Sequence, residues 1–372
     1  MTKPLTLDRL TLLDVRNVER LELAPARHLN VIAGNNGQGK TSVLEAIYAL
    51  ATSRSFRTAK LTELVRHGAD TARVGGRFAE HWPSGILDRS QTFELTRRGK
   101  RSLTLDGLEP TSLTDYATRS PVVVFEPKQL GLTTGPSAER RTLLDRVTLF
   151  THPEAAAHRA RYGRALKERQ ALLADRYRDR SKELDAYEAI LAEHGARLTA
   201  IRALAVEELR ETILEAFGRI AAPELRLEVR YEAGGSSDRD AAQRELAEAR
   251  QADAQRKRAS FGPHRDDLDL RLDGHEARVV ASQGQHRALT LALKSAELST
   301  IARARGVQPI LLLDDVSSEL DADRTAALFE HLALTESQIF LTTTRRDLIV
   351  SARLDAERAD FVVEQGVLRR VT

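Results

Sequence analysis

Three features of the sequence predict an α/β fold in which a mixed core carries an antiparallel β layer and an inserted helical lobe. The apolar run His28–Ala33 enters a glycine-rich turn and leaves it as a helix, a strand, loop, helix unit. Residues 91–105 read as two strands around an Arg-Arg-Gly-Lys turn. From Pro153 to about Ile220 the composition shifts to Ala, Arg, Glu and Leu with no internal proline.

Between Leu5 and Gly34 the apolar pattern predicts short strands. Val43, Leu44, Ile47 and Leu50 recur at helical spacing, so Thr41 to about Ala51 is predicted as a helix. From about Phe56 to Asp106 the chain reads as strands, with Gln91–Thr96 and Arg101–Leu105 forming a hairpin in a small antiparallel layer. In the helical stretch, Leu184, Tyr187, Leu191, His194, Leu198, Ile201 and Ala205 alternate three and four apart, one seam of a helix packed on a partner. His194 is a seam residue on this reading, not a ligand. Two antiparallel helices of roughly 30 to 50 Å fit the stretch at 1.5 Å per residue, a protruding arm. Gly-Gly-Ser-Ser-Asp within 233–240 reads as a flexible loop, and a polar helix then leads to Phe261-Gly-Pro-His-Arg-Asp-Asp267. Ile310–Leu313 reads as a strand buried on both faces. No internal repeat is visible. The expected organisation is a first part of the core at 1–135, a helical lobe at 136–232 and the second part of the core at 233–372.

With 41% hydrophobic and 30% charged residues, the 372-residue chain suits a globular protein with a sizeable core. No run of eighteen apolar residues occurs, and MTKPLTLDRL lacks the apolar segment of a signal peptide. A cytoplasmic location is expected. The absence of cysteine excludes disulfides, thiolate zinc sites and thiol catalysis. A net charge of +3 does not announce a nucleic-acid partner. Local clusters do more: Arg97, Arg98, Lys100 and Arg101; Arg140 and Arg141; Arg256, Lys257 and Arg258. Each can meet phosphates or simply sit in water.

Gly34-Asn35-Asn36-Gly37-Gln38-Gly39-Lys40-Thr41, followed by Ser42, matches the Walker A pattern, with the strand before and the helix after that the motif needs. Glycines at these positions let backbone N–H groups converge on phosphates, and the helix N-terminus adds the positive end of its dipole. Lys40 bridges the outer phosphates and Thr41 holds Mg²⁺. Near the other end, Ile310–Leu313 terminates in Asp314 and Asp315. Ligands bind at the carboxyl ends of parallel strands, so Asp314 is the expected metal-side acid and Asp315 the candidate general base on the attacking water. A helix cap or supporting acid is the bland alternative for Asp315. Ser282-Gln283-Gly284-Gln285 opens a strongly helical run and makes a second anion-seeking helix end. Lys40 already serves this chain's own phosphates, so this second end is read as completing the site of another subunit. An ordinary helix cap is the alternative. The Asp-Asp strand about 25 residues on, and Ser317-Ser318-Glu319-Leu320-Asp321 after it, make one cassette.

So assembled, the residues resemble the ABC-type ATPases of DNA maintenance, the SMC group, nearly end to end, and within it the bacterial recombination mediators. The resemblance names 34–41 as Walker A, 282–285 as the signature acting in trans, 310–315 as Walker B and 317–321 as the D-loop, carried by Ser318 and Asp321. The opening Leu12–Asn17 places Arg16 and Asn17 with the cofactor. Val124–Pro127, Gly135–Arg141 and Gly262–Leu268 also match, the last without an evident chemical role. Gln129 is the candidate Q-loop glutamine, on the metal side. Three departures stand out. Asp315 replaces the usual glutamate, a shorter arm that implies slow hydrolysis. The signature reads Ser-Gln-Gly-Gln where transporter ATPases have Ser-Gly-Gly-Gln. Thr342, Thr343 and Thr344 stand where a switch histidine is expected.

The resemblance implies an ABC-type P-loop ATPase core and a cycle: two copies close head to tail on ATP, hold duplex DNA, and reopen on hydrolysis. It implies a DNA-stimulated ATPase of recombinational repair and replication-fork maintenance that acts with RecR and RecO to load RecA at gapped DNA. Two rivals are a transporter ATPase subunit, which needs a membrane partner, and an SMC-type chromosome-organising ATPase, which needs a far longer coiled coil.

Overall fold

A computed structural model describes residues 2–174, 180–220, 225–315, 336–345 and 357–371. They group into two compact units, Met1–Gln129 with Ile301–Thr372, and Leu130–Thr300.

The first unit opens with β1 (Lys3–Val15) and β2 (Val18–Leu23), an antiparallel pair. Along β1 the core residues are Leu5 and Leu7, then Leu10 and Leu12. That break in alternation coincides with a bulge between Leu7 and Arg9 that returns both leucine pairs to one face. Next come β3 (Leu29–Ala33), buried at every position, and α1 (Lys40–Thr52). Helix α1 is buried nearly all round, as a mainly apolar helix must be. The antiparallel layer follows: β4 (Thr71–Trp82), β5 (Gly85–Thr96) and β6 (Arg101–Leu105). The expected hairpin is β5–β6, with β5 starting six residues earlier than the sequence pattern suggested. After α2 (Leu113–Arg119), capped by Ser112 Oγ accepting from Asp115 N, strand β7 (Val122–Phe125) enters the central sheet.

The second unit holds α3 (Gly131–Thr134), α4 (Ser137–Thr151), α5 (Ala155–Ala174), α6 (Ser181–Ile220), β8 (Leu227–Glu232), α7 (Arg239–Glu248), α8 (Arg250–Arg256), β9 (Asp267–Leu272), β10 (His275–Glu276), α9 (Ala277–Val280) and, as far as Thr300, α10 (Gln283–Arg305). Helices α5 and α6 run antiparallel, since His158 meets His194 while Arg169 meets Glu188. At 20 and 40 residues they measure about 30 and 60 Å at 1.5 Å per residue, so α6 exceeds the expected length. The predicted seam is buried except for half-buried Tyr187. His194 lies within it, its Nδ1 3.0 Å from His158 Nδ1, and burial pushes its imidazole toward the neutral form.

The expected lobe boundary lies at 232/233. Strand β8 pairs along its length with β9, and both share one apolar core with α4, α6 and α10, so residues 233–300 group with the helical lobe. The string Gly262–Leu268 now has a physical reason. Asp266, fully buried, accepts from Arg202 Nη1 at 2.8 Å, Tyr231 OH at 2.5 Å and Gly234 N at 2.9 Å. Asp267 takes Arg140 Nε and Nη2 at 2.7 and 2.8 Å. A Cβ on Gly262 would lie 2.1 Å from the Tyr162 hydroxyl. The string ties α4, α5, α6 and β8 together.

The chain then completes the first unit with β11 (Val307–Gln308), β12 (Ile310–Leu313), β13 (Ile339–Thr343), β14 (Arg358–Glu364) and β15 (Val367–Arg370). The central sheet has order β15-β14-β3-β13-β12-β7, parallel apart from edge strand β15. In register, Ala33 meets Thr343, while Leu313 meets Leu341 and Phe125. Strands β3, β12, β13 and β7 therefore end together along one edge. Among the described residues no helix is long and apolar enough to cross a membrane.

Candidate nucleotide site

The loop between β3 and α1 has the backbone a phosphate cradle needs. Gly37 and Gly39 have φ of 80° and 115°, left-handed values that favour glycine. A Cβ on Gly34 would stand 2.6 Å from the Val363 carbonyl, so the loop passes too close to β14 for any side chain. Lys40 Nζ donates to the carbonyls of Gly34 at 2.6 Å and Asn35 at 3.1 Å. Its ammonium is pushed below the ordinary lysine range by burial, opposed by Asp315 and Asp314.

The two ends of the sequence meet at one oxygen. Thr41 Oγ1 donates to Asp314 Oδ1 at 2.8 Å, and Thr342 Oγ1 donates to the same atom at 2.8 Å. The Thr342 hydroxyl also accepts from Asp315 N at 2.9 Å. Asp314 is 8% exposed, and burial raises its carboxyl above the ordinary value of 3.8 against the two hydroxyl donors. Asp315 follows with φ 48°, which turns it out of the strand and onto the wall of a cleft. The expected pair at the carboxyl end of β12 is thus divided between a buried acid beside Thr41 and an acid facing the cleft.

That cleft has a volume of about 830 Å³ and is lined by Arg16, Asn17, Asn36, Gly37, Gly39, Lys40, Thr41, Ser42 and Asp315 from the expected set. Gly34, Asn35 and Gln38 shape the loop without lining it. Asn17 Oδ1 accepts from Ser42 Oγ at 2.9 Å, and its amide lies 3.0 Å from where a Gly39 Cβ would be. Gln38 is held by the β14–β15 turn: Gln365 N donates to its Oε1 at 2.6 Å and Gly366 N to its carbonyl at 2.9 Å.

Sequence reading missed most of the basic wall: Arg57, Lys60 and His67 also line the cleft, beside Arg97 from the first of the basic clusters. Fully buried Glu45 organises part of it, accepting from Arg16 Nε and Nη2 at 2.9 and 2.8 Å, Arg57 Nη1 at 3.1 Å and Ser55 Oγ at 2.5 Å. The Arg16 guanidinium is raised chiefly by its bonds to Glu45. One signal was available, because a glutamate inside the apolar run Val43-Leu-Glu-Ala-Ile must be buried with partners.

The remaining described candidates are not among the residues that line the cleft. Gln129 is not on the cleft wall, and its Nε2 donates to the Val124 carbonyl at 2.8 Å. The signature opens α10 as a reciprocal capping box: Ser282 N donates to Gln285 Oε1 at 2.7 Å, and Gln285 N to Ser282 Oγ at 3.3 Å. Ser282 and Gln283 are exposed, Gly284 and Gln285 half-buried. The cap reading is therefore realised, and it leaves the helix end open to solvent. Ser318 and Asp321 lie outside the described residues.

The family described as RecF/RecN/SMC N terminal domain matches residues 6–367. The DNA replication and repair protein RecF of Anaeromyxobacter sp. (strain Fw109-5) is 41% identical over 365 residues, 95% of this chain and 96% of the relative. The chain belongs to the RecF family. A solved RecF structure, described as the recombination mediator protein RecF-ATP in RecFOR pathway, matches with a TM-score of 0.88 at 26% identity, over 100% of this chain and 99% of that one. The Smc head domain with an extended coiled coil bound to the C-terminal domain of ScpA, derived from Pyrococcus furiosus, matches at a TM-score of 0.58 and 16% identity, over 99% and 96% of the two chains. The α/β ATPase fold with its antiparallel layer and helical lobe is shared with both, and RecF is the better match.

Proposed function

We propose that this chain is an ATP-dependent DNA-binding protein of recombinational repair and replication-fork maintenance, working as a nucleotide-gated dimer. The observation that carries the nucleotide reading is the Thr41–Asp314 hydrogen bond of 2.8 Å, which joins the phosphate loop to the carboxyl end of β12. Residues 34–42 hold the triphosphate through backbone N–H groups and Lys40, with Arg16 and Asn17 alongside. Two hard oxygens at this spacing, Thr41 Oγ1 and Asp314 Oδ1, fit a magnesium ion that takes its other ligands from phosphates and water. When bound, that ion neutralises charge on the phosphates. Gln129, just past the end of β7, is the further candidate on that side. Asp315, on the cleft wall, accepts the proton of the attacking water, and its short arm makes turnover slow.

The open N-terminus of α10, Ser282–Gln285, is the surface offered to the nucleotide of a second copy, with Ser318 and Asp321 as the D-loop residues that the family resemblance implies. Two copies then close head to tail on ATP, and the closed dimer holds duplex or gapped DNA, which stimulates hydrolysis. ATP acts as a switch on DNA residence. By family membership the partners are RecR and RecO, with RecA loaded as the outcome, in the cytoplasm and without a membrane component. Sedimentation with ATP, magnesium and duplex DNA tests the reading. Dimer mass is expected for the native chain and lost in Lys40→Met; a chain that stays monomeric at saturating ATP with DNA present refutes it.

A further inference from the structure

Helix α5 sorts its positive charges by direction. On its inward side Arg169 is fully buried, with Nε 2.9 Å from Glu188 Oε1, Nη1 2.6 Å from Asp253 Oδ2 and Nη2 2.8 Å from the Leu246 carbonyl. Arg159, on the flank, reaches Asp145 at 2.8 Å. Tyr162, also inward, lies 2.6 Å from His264 Nδ1. The outward side carries Arg161, Arg164 and Lys167, all exposed, and among the described residues none of the three makes an ion pair or hydrogen bond. Some exposed arginines elsewhere in the chain take carboxylates, as in Arg73–Glu94, Arg77–Asp88 and Arg230–Glu228, and others, such as Arg197 and Arg244, do not. Gly163 stands between the outward cations, the exposed small residues Ala157 and Ala160 precede them on the helix, and the one acid α5 contributes there is Glu168.

We propose that this outward face of α5 is a binding site for the phosphate backbone of duplex DNA. It rests on the DNA-binding reading above and says where that contact is made. Residues 161, 164 and 167 cover about 9 Å of helix axis at 1.5 Å per residue. One strand of B-DNA presents a phosphate every 3.4 Å of its axis, so two or three phosphates lie within reach. The small residues let the helix barrel approach the backbone. The buried anchors on the inner side fix α5 before DNA arrives, so little ordering is left to be done at contact. This face of α5 offers Arg and Lys without an amide or aromatic side chain among them, which makes the contact one of position and charge, independent of sequence.

The test uses the full chain with ATP, magnesium and a labelled duplex, titrated with salt. The triple variants R161E/R164E/K167E and R161Q/R164Q/K167Q are compared with the native protein. Both are expected to weaken duplex binding at least tenfold at physiological salt, with ATP-dependent dimer mass and melting temperature retained. The neutral variant is expected to reduce the slope of log K against log salt by about 2 to 3, at about 0.9 for each phosphate no longer neutralised. Native affinity and slope in both variants overturn the α5 site and leave the DNA-binding reading intact. A native chain that binds no duplex overturns both.

Discussion

Thr342 supports two acids with one hydroxyl, donating to Asp314 and accepting from Asp315 N. Asp314 needs that support because its carboxylate is held in a buried place. The consequence for stability has a definite sign. A carboxyl whose folded value lies above its ordinary 3.8 binds its proton more tightly when folded. The resulting stabilisation is fully present below 3.8 and is lost as pH rises from there through the raised folded value. Asp314→Asn keeps an acceptor for Thr41 and Thr342 but has nothing to ionise. Thermal melts should therefore show this variant more stable than the native chain at pH 7, the gap narrowing as pH falls toward the ordinary carboxylate range. ATP turnover should meanwhile be lost. A constant gap across that range would contradict a buried, strained carboxylate. Asp315→Asn is expected to differ: it keeps ATP binding and traps the closed dimer, so failure to bind ATP would make Asp315 a structural or metal residue.

At the scale of elements, the phosphate loop is shaped partly by a turn that sequence reading passed over. Gln365 and Gly366 have φ of 47° and 79°, and a Cβ on Gly366 would stand 2.3 Å from the Asn17 carbonyl. Gly366→Ala should cost about 1–3 kcal/mol through strain at this turn and weaken ATP binding as Gln38 loses its support. Denaturant unfolding and nucleotide titration measure the two effects, and unchanged values in both would remove the turn from the site. Helix α10 gives a second case. Ser282→Arg removes the cap, worth about 1 kcal/mol, and places bulk and charge where the partner's phosphate docks. Monomeric ATP binding should survive and dimer closure should fail; an ATP-dependent dimer in this variant would sink the shared site. Elements whose logic is local were legible: the Walker loop, the β5–β6 hairpin, and the α6 seam from Leu184 to Ala205. What depends on distant pairing was not. Nothing near residue 233 reports that β8 bonds to β9, and nothing near Gly366 reports that Asn17 lies against it. Thr342 was visible only as one of three threonines, because its role depends on a strand some thirty residues earlier.

For the molecule as a whole, charge is organised more finely than the net +3 implies. Positive side chains line the nucleotide cleft through Arg16, Arg57, Lys60 and Arg97, and others are spent inside the helical lobe, where Arg140, Arg169 and Arg202 each meet carboxylates. Composition averages over all of these, which is why a basic function was hard to see in it. The central sheet has a further property. Strand β3, which launches the phosphate loop, lies between β13 and β14, and both of these belong to the last tenth of the sequence. A chain still emerging from the ribosome therefore has its glycine loop long before it has the two neighbours that fix the strand beneath it. On the proposed function, capture of ATP waits for β13 and β14, so a copy that still lacks them has no means of entering the cycle and occupying DNA unproductively.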